Sequence, residues 1–488
     1  MTPSKYSAAR WNDDTLGLLA HGYAWLPNRM RGTIDGTVRT RLLGRPTIAL
    51  RGPEAVAFFY DEKHIVRAGA LPDPVLGTLF GHGAVHTLDG DRHRIRKAVF
   101  ATLLKDGSGV AALGGHVSWR WREAMTRRRG DSLVLFDEAA GVLARAVCDW
   151  TGVPLSDAAV AGLARDCTAM VDGFATPGPR HLRARRARRR QEGAMASLIT
   201  EIRRAPEAEA KQTALETAAW HREAGGNLPD VRTAAVELLN IIRPTVAIAW
   251  FAAFAAHALH RWPHHRDLLR SDRDGTYATA FAHEVRRFYP FAPFVAGLAA
   301  QDLTWRGEDV AKDTLVLLDL YGQNHDASLF EHPYRFAPDR FDPQRFAAPG
   351  SPDSPMLVHL VPQGGGDRDR GHRSPGEEIT VTALATIAGE LARMEYDVPA
   401  QDLTIPLSRV PTRPRSGFEL RPGPDAPRKQ PAPDREPHAG PDPIEATPAS
   451  ILKGGDSDRT GTVHQGPKAK IQEILPGRGH PHHGGEGA

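Results

Sequence analysis

Between Ala234 and Trp262 apolar residues recur at helical spacing, and from Leu238 to Leu259 (LLNIIRPTVAIAWFAAFAAHAL) they occupy nearly every face. A helix that is hydrophobic all round has to be buried, so this segment is expected to run through the middle of the fold. Two of its residues do not suit such a helix. Pro244 has no N–H and its ring crowds the carbonyl of Asn240, which predicts a kink there. Arg243 is charged at any physiological pH, and a buried guanidinium without a partner costs several kcal/mol. It needs an anion, from a protein carboxylate or from a ligand. The nearest acid, Glu237, lies six positions back and off the same face, which favours a ligand.

Helical periodicity also runs from Glu138 to Trp150 and from Glu377 to Arg393. Thr47 to Leu50 reads as a short strand, followed by Gly52-Pro53, and Pro suits a first helical turn. The apolar run Thr314 to Leu318, inside Val310 to Tyr321, is a buried strand or an irregular segment. The chain is therefore expected to be mainly α with small β-sheets. Composition shifts near Arg421. Pro422 to Ala488 holds 12 Pro and 11 Gly in 67 residues, with no helical or strand period, so 422–488 is expected to be a disordered tail behind one domain, 1–421. The histidines at its end, His480, His482 and His483, read as part of a solvated tail.

Charge and cysteine content narrow the classes. A net charge of +4 over 488 residues excludes a polybasic, histone-like protein. Two cysteines, Cys148 and Cys167, exclude a disulfide scaffold, a four-cysteine zinc site and a thiolate-bound iron–sulfur cluster. Both read as structural. The N-terminus lacks the apolar core of a signal peptide. The longest apolar run, Val246 to Leu259, has 14 residues, too few to span a bilayer. A cytoplasmic protein without a transmembrane segment is expected. Arg180 to Arg190 (RHLRARRARRR) holds seven arginines. Alone it could bind nucleic acid or a membrane surface. Without interleaved aromatics or a recognition helix it reads as a solvated helix face, and no nucleic acid partner is expected. The triple glycine Gly364 to Gly366 has no G-K-[ST] after it, so it is no phosphate cradle. It reads instead as backbone passing close to a flat cofactor.

Several motifs in the right order resemble the cytochrome P-450 family over roughly residues 10–420. Glu284-Val285-Arg286-Arg287 is an E-x-x-R pair on one helical face. Phe336 to Phe341 (FAPDRF) is similar to the family's F-x-P-x-R-F segment, and Pro362 to Thr380 (PQGGGDRDRGHRSPGEEIT) resembles its heme-binding loop. Finer motifs resemble the hydrogen-peroxide-using fatty-acid peroxygenases and olefin-forming decarboxylases: Arg243-Pro244 in the central helix, Tyr321 to Asp326 (YGQNHD), the triple glycine, and Leu71 to Phe100. The resemblance implies the family's fold, heme b (iron protoporphyrin IX), hydrogen peroxide as oxidant, a fatty acid substrate and no redox partner. It implies that Arg243 holds the substrate carboxylate, that Arg243 and Pro244 take part in catalysis, and that Phe80 lies beside the substrate. His86 falls where hydroxylating members have Gln and the decarboxylase has His. An imidazole titrating near neutrality could supply a proton and favour alkene over hydroxy acid. His93 and Lys97 match positions that contact heme propionates. Arg373 and Gly376, flanking the axial position, are expected to bind the cofactor, and Glu284 with Arg287 is structural.

At the axial position the resemblance breaks. The family's G-H-R-C-P-G reads Gly371-His372-Arg373-Ser374-Pro375-Gly376 here. Ser374 stands where the family has the Cys that ligates iron, and an alcohol does not reproduce the charge donation of a thiolate. Two further readings follow. One is a protein that binds heme or fatty acid without turnover. The other is a hydrolase with Ser374 as nucleophile. The second is disfavoured, because Pro375 has no N–H to offer an oxyanion.

Overall fold

The computed structural model describes residues 11–104, 107–174, 176–207, 213–223, 225–342, 355–367 and 371–423. Residues 424–488, which carry most of the expected tail and its histidines, lie outside them. The fold is carried by long helices: α1 Gly90–Leu104, α2 Gly107–Arg127, α3 Leu135–Thr151, α4 Asp157–Gly173, α5 Pro179–Ile202, α6 Val231–Val246, α7 Ile248–Arg261, α8 Thr276–Phe288 and α9 Glu377–Arg393. Their ends follow local chemistry. Ser156 caps α4 by accepting from the Ala159 N–H, and Asp230 caps α6 by accepting from Thr233. Pro179 opens α5, and Pro53 opens a short helix, Pro53–Tyr60, where the sequence placed it.

The apolar segment forms a rod, α6 followed by α7, packed against α3, α5, α8 and α9. Every residue from Ala234 to Leu259 is buried except Pro244, which is exposed. The break expected at Pro244 falls three residues later, at Ala247. There the Trp250 N–H bonds back only three residues, to Ala247 O (3.1 Å). Thr245 Oγ1 also donates to Ile241 O (2.9 Å), a back-bond that bends helices. The 14-residue run thus sits in a 31-residue rod, Val231–Arg261, long and apolar enough to cross a membrane, but 94% of its apolar window is buried inside the protein. It is the core of this fold.

Two small sheets close the structure. Strands β1 Thr37–Leu42, β2 Arg45–Leu50, β3 Ile65–Val66, β5 Phe294–Ala299 and β8 Leu315–Asp319 form a five-stranded sheet in the order β1-β2-β8-β5-β3. The β2/β8 pairing is parallel and the others antiparallel. The ambiguous apolar run is β8, with all five residues buried. Strand β4 Leu133–Val134 pairs with β10 Glu419–Pro422, which pairs with β9 Tyr396–Asp397. A separate hairpin joins β6 Leu303–Trp305 to β7 Glu308–Val310. Pro422 therefore belongs to the sheet and not to the tail: it stands opposite Tyr396, and the Gly423 N–H reaches Glu395 O (2.9 Å). Proline is tolerated at such an edge, so proline content alone misplaced the boundary.

Candidate functional site

Three of the predicted site residues meet where α6 faces the segment 76–87. Arg243 is buried, and its guanidinium carbon lies 5.8 Å from the centroid of the Phe80 ring. The His86 ring lies 4.6 Å from that of Phe80. Among the described residues Arg243 has no carboxylate partner, and its Nε is buried without a hydrogen bond. Glu237 does not serve it. That carboxylate accepts from Val85 N–H (2.8 Å) and pairs with Arg96, and burial raises it to about 7 against the pull of Arg96. Burial first, and then Arg188, push Arg243 down to about 9, so it remains a cation at neutral pH. Pro244, the one exposed position in the middle of the rod, is its neighbour.

Sequence reasoning missed what holds Phe80 in place. Arg188, on the inner side of α5, is 1% exposed. It pairs with Glu192 (2.6 Å) and donates to Leu79 O (3.0 Å) and Phe80 O (2.9 Å). Asn240 Nδ2 donates to the same Phe80 carbonyl (2.9 Å). The approach is so close that a Cβ on Gly81, at φ +86°, would sit 2.3 Å from Arg188 Nη2. The arginine run is thus only partly the solvated face that composition suggested. Arg188 is interior, while Arg180 pairs with Asp172 and Arg190 with Asp166. The buried stripe Ala184-Ala187-Arg188, with Glu192 at i+4, was the available signal.

His86 departs from its expected behaviour. Burial, then the charges of Arg243, His372, His93 and Arg188, lower it to about 3. It is a neutral imidazole at pH 7, with Nδ1 buried and unbonded. Proton supply by an imidazolium titrating near neutrality does not fit this environment. What remains is hydrogen bonding by the neutral ring.

The second half of the site is built by α1 and the loop before α9. His93 and Lys97, one turn apart on α1, both face residues 371–373. The rings of His93 and His372 stack at 3.9 Å, and Lys97 Nζ donates to Gly371 O and to Arg373 O, the latter at 2.9 Å. Arg373 Nε donates to Glu377 (2.8 Å), which also pairs with Arg286 (2.6 Å). Burial opposes ionisation of Glu377, but Arg286 and Arg373 prevail and hold it at about 2. Ser374 is half-buried, with no hydrogen-bond partner among the described residues, and Gly376 is the N-cap of α9. Neither cysteine is near an ionised state. Burial pushes both thiols up to about 12, in α3 and α4. The glycine loop is explained differently from its sequence reading. A Cβ on Gly364 (φ +94°) or Gly366 (φ +78°) would meet the Tyr60 side chain at 2.5 and 2.8 Å. The flat group that the backbone approaches there is Tyr60.

The E-x-x-R pair is fully buried and bidentate, with Arg287 Nε to Glu284 Oε2 at 2.7 Å and Nη2 to Oε1 at 2.8 Å. Arg340, from the FAPDRF segment, lies 3.2 Å from the same carboxylate. Arg287 also donates to Asn324 O (2.7 Å) and Pro333 O (2.8 Å), and Ala337 N–H donates to Glu284 (2.8 Å). One buried carboxylate thus ties together α8 and the two segments that follow it.

A heme fits most of this arrangement. Arg243 Nε, His86 Nδ1 and His93 Nδ1 are buried polar atoms without hydrogen bonds, and such atoms call for a partner, whereas His372 Nε2 lies 3.5 Å from the Asp89 carboxylate. His93, Lys97, His372 and Arg373 offer N–H donors suited to propionates. The donor at the axial position is the exception, because Ser374 supplies an alcohol.

The chain is similar to known proteins. The family model for cytochrome P-450 matches residues 271–356. Salutaridine synthase of Papaver somniferum is 34% identical over 117 residues, 23% of this chain and 23% of its own length. Cytochrome P-450 4A14 of Rattus norvegicus is 27% identical over 189 residues, 36% of this chain and 35% of its own. The chain spans only a quarter to a third of such curated relatives. Solved structures align over far more. Cytochrome P-450SP alpha (CYP152B1) in complex with (R)-ibuprophen is 40% identical, with TM-score 0.78 over 84% of this chain and 98% of that one. CYP152N1 with myristic acid is 36% identical, with TM-score 0.77 over 86% and 98%. A variant of OleT in complex with arachidonic acid is 33% identical, with TM-score 0.78 over 84% and 97%.

Proposed function

The chain belongs to the cytochrome P-450 family, on the branch of CYP152B1, CYP152N1 and OleT, and from that premise we propose that it binds heme and a long-chain fatty acid. With hydrogen peroxide as oxidant and no redox partner, it oxidises the acid at the carbons next to the carboxyl group. Products are α- or β-hydroxy acids, or a terminal alkene with carbon dioxide.

One observation carries this reading: Arg243 is a buried cation without a protein carboxylate, beside Phe80 and His86. A fatty acid supplies the missing anion. The guanidinium holds the carboxylate in a fixed, bidentate orientation, and that places Cα and Cβ nearest the reacting centre. Phe80 packs on the chain, and Arg188 and Asn240 hold Phe80 in position. Among the described residues no carboxylate is left free beside Arg243, because Glu237 is committed to Val85 and Arg96, and His86, lowered to about 3, is a weak base. The substrate's own carboxylate therefore serves as the proton carrier at this point. His86, neutral, hydrogen-bonds without carrying charge. His93, Lys97 and Arg373 would hold the heme propionates. Bound heme supplies the peroxide-driven oxidation itself.

Ser374 favours a second reading, a protein that binds heme and fatty acid with little turnover. Both cysteines stay protonated in the core, so the chain brings no thiolate to iron. The test is the absorption spectrum of the purified chain, reduced and exposed to carbon monoxide, beside Ser374→Cys. The expectation is bound heme in both, a thiolate-type band only in Ser374→Cys, and peroxide-driven fatty-acid turnover much higher there. Equal turnover in the two proteins would remove Ser374 as the limit on activity. Absence of heme from both would overturn the proposal.

A further inference from the structure

The arginines that the core does not use lie together on the outer face of α5. Arg183, Arg186 and Arg189 are exposed, and among the described residues none has a carboxylate partner. At 100° per residue they lie within 120° of one another around the helix, with Leu182, 53% exposed, on the same face. Arg165, on the packed neighbour α4, is also exposed without an ion pair. The acids nearby are already engaged: Asp166 by Arg190 and Gln191, Asp172 by Arg180 and Arg409, and Glu192 by Arg188 and Arg232. The patch is therefore strongly positive and not neutralised by the protein.

We infer that this face of α5 docks on a bilayer surface carrying anionic phospholipids. Charge complementarity supports it, since basic residues close to such a surface each strengthen binding about fivefold. The composition of the face favours lipid over single-stranded nucleic acid. A leucine stands among the arginines, and α5 contains no Phe, Tyr or Trp on which a base could stack. The position is also apt. The outer side of α5 carries the free arginines, while its inner side holds the Phe80 carbonyl through Arg188. One helix thus separates the proposed lipid surface from the proposed substrate site. That last link rests on the fatty-acid reading; the docking surface itself does not.

The experiment is co-sedimentation of the full chain with vesicles of phosphatidylcholine alone, and of phosphatidylcholine mixed with phosphatidylglycerol. No turnover is measured, so an inactive heme would leave the result unaffected. The chain is expected to bind the mixed vesicles, to be released by salt, and to ignore the neutral ones. R183A/R186A/R189A should bind about a hundredfold more weakly, and R183K/R186K/R189K should bind like the parent. Heme content and melting temperature should not change in either variant, because these side chains have no partner to lose. The inference is overturned by equal binding to neutral vesicles, or by unchanged binding of the alanine variant. It is also overturned if labelled duplex DNA binds as tightly as the mixed vesicles and loses as much in the alanine variant.

Discussion

At the scale of single residues, Arg243 is a group whose burial makes sense only with a partner. Without one, its desolvation weakens the empty fold. Arg243→Ala should therefore cost the ligand-free protein little stability, or raise it, because among the described residues no ion pair or hydrogen bond of the guanidinium is lost. Fatty-acid affinity should fall by at least about a hundredfold, the usual result of truncating one member of a buried charge pair. Arg243→Lys should lie between, keeping the charge but not the fork. Calorimetric titration with one saturated fatty acid, beside urea unfolding without it, separates the two effects. His86 gives a sharper test. Because burial and its cationic neighbours lower it to about 3, it stays neutral throughout the physiological pH range. In the Ser374→Cys background the ratio of alkene to hydroxy acid should be flat from about pH 5 to 8. A ratio that swings near pH ~6.5, the ordinary value for imidazole, would show that the charged ring acts after all.

At the scale of elements, the buried carboxylate of Glu284 holds two guanidiniums and one backbone N–H. Glu284→Gln would take the paired carboxylate charge from Arg287 and weaken the charge balance at Arg340. It should destabilise the protein by about 3–5 kcal/mol, read as a drop in urea midpoint with unchanged slope. The pairing of Glu284 with Arg287 was legible from their spacing, because both lie on one turn of a helix. Arg340 was not, since nothing local indicates that it meets the same carboxylate. Helix α9 was read to its ends, Glu377 and Arg393, because its pattern is strong and glycine precedes it. The order of the five-stranded sheet could not be read, since β2 pairs with β8 across most of the chain. Arg243 was legible as a charge inside an apolar helix, Phe80 and His86 were named through motif resemblance, and the three do meet. Their geometry depends on Arg188 and on the turn at Gly81, which the arginine-rich composition of α5 concealed. For the triple glycine, the close approach was foreseen but the group approached was not.

At the scale of the molecule, burial sets the response to acid. His257, His265 and His325, all away from the site, are each lowered to about 3, mainly by burial. Unfolded imidazoles titrate near 6.5, so the unfolded chain takes up these protons first. Stability is complete above about pH 6.5 and declines as pH falls toward 3. Glu237 and Asp319 act in the opposite sense. Burial raises them to about 7 and 6, against Arg96 and Arg51, so the folded state protonates before the unfolded one down to about pH 4.5. Below that pH their offset ends. Glu377, held at about 2, then adds its own loss between about 4.5 and 2. Urea midpoints should fall from pH 7 to about 4.5 and more steeply below. A midpoint rising as the solution is acidified below pH ~4.5 would contradict this balance.

The burial of both cysteines has a practical consequence. Cys148 and Cys167 are 2% and 0% exposed, with thiols raised to about 12, so neither forms the thiolate that alkylating reagents attack. The native chain should be inert to iodoacetamide and to disulfide reagents until it is denatured. Introducing Ser374→Cys then creates a solitary reactive handle, at a half-buried position on an accessible loop. Thiol titration of that variant counts molecules whose position 374 is free, and heme should protect it in proportion to occupancy. Mass spectrometry of the alkylated variant would thus report the fraction of molecules whose position 374 is shielded by heme, without reference to colour or turnover.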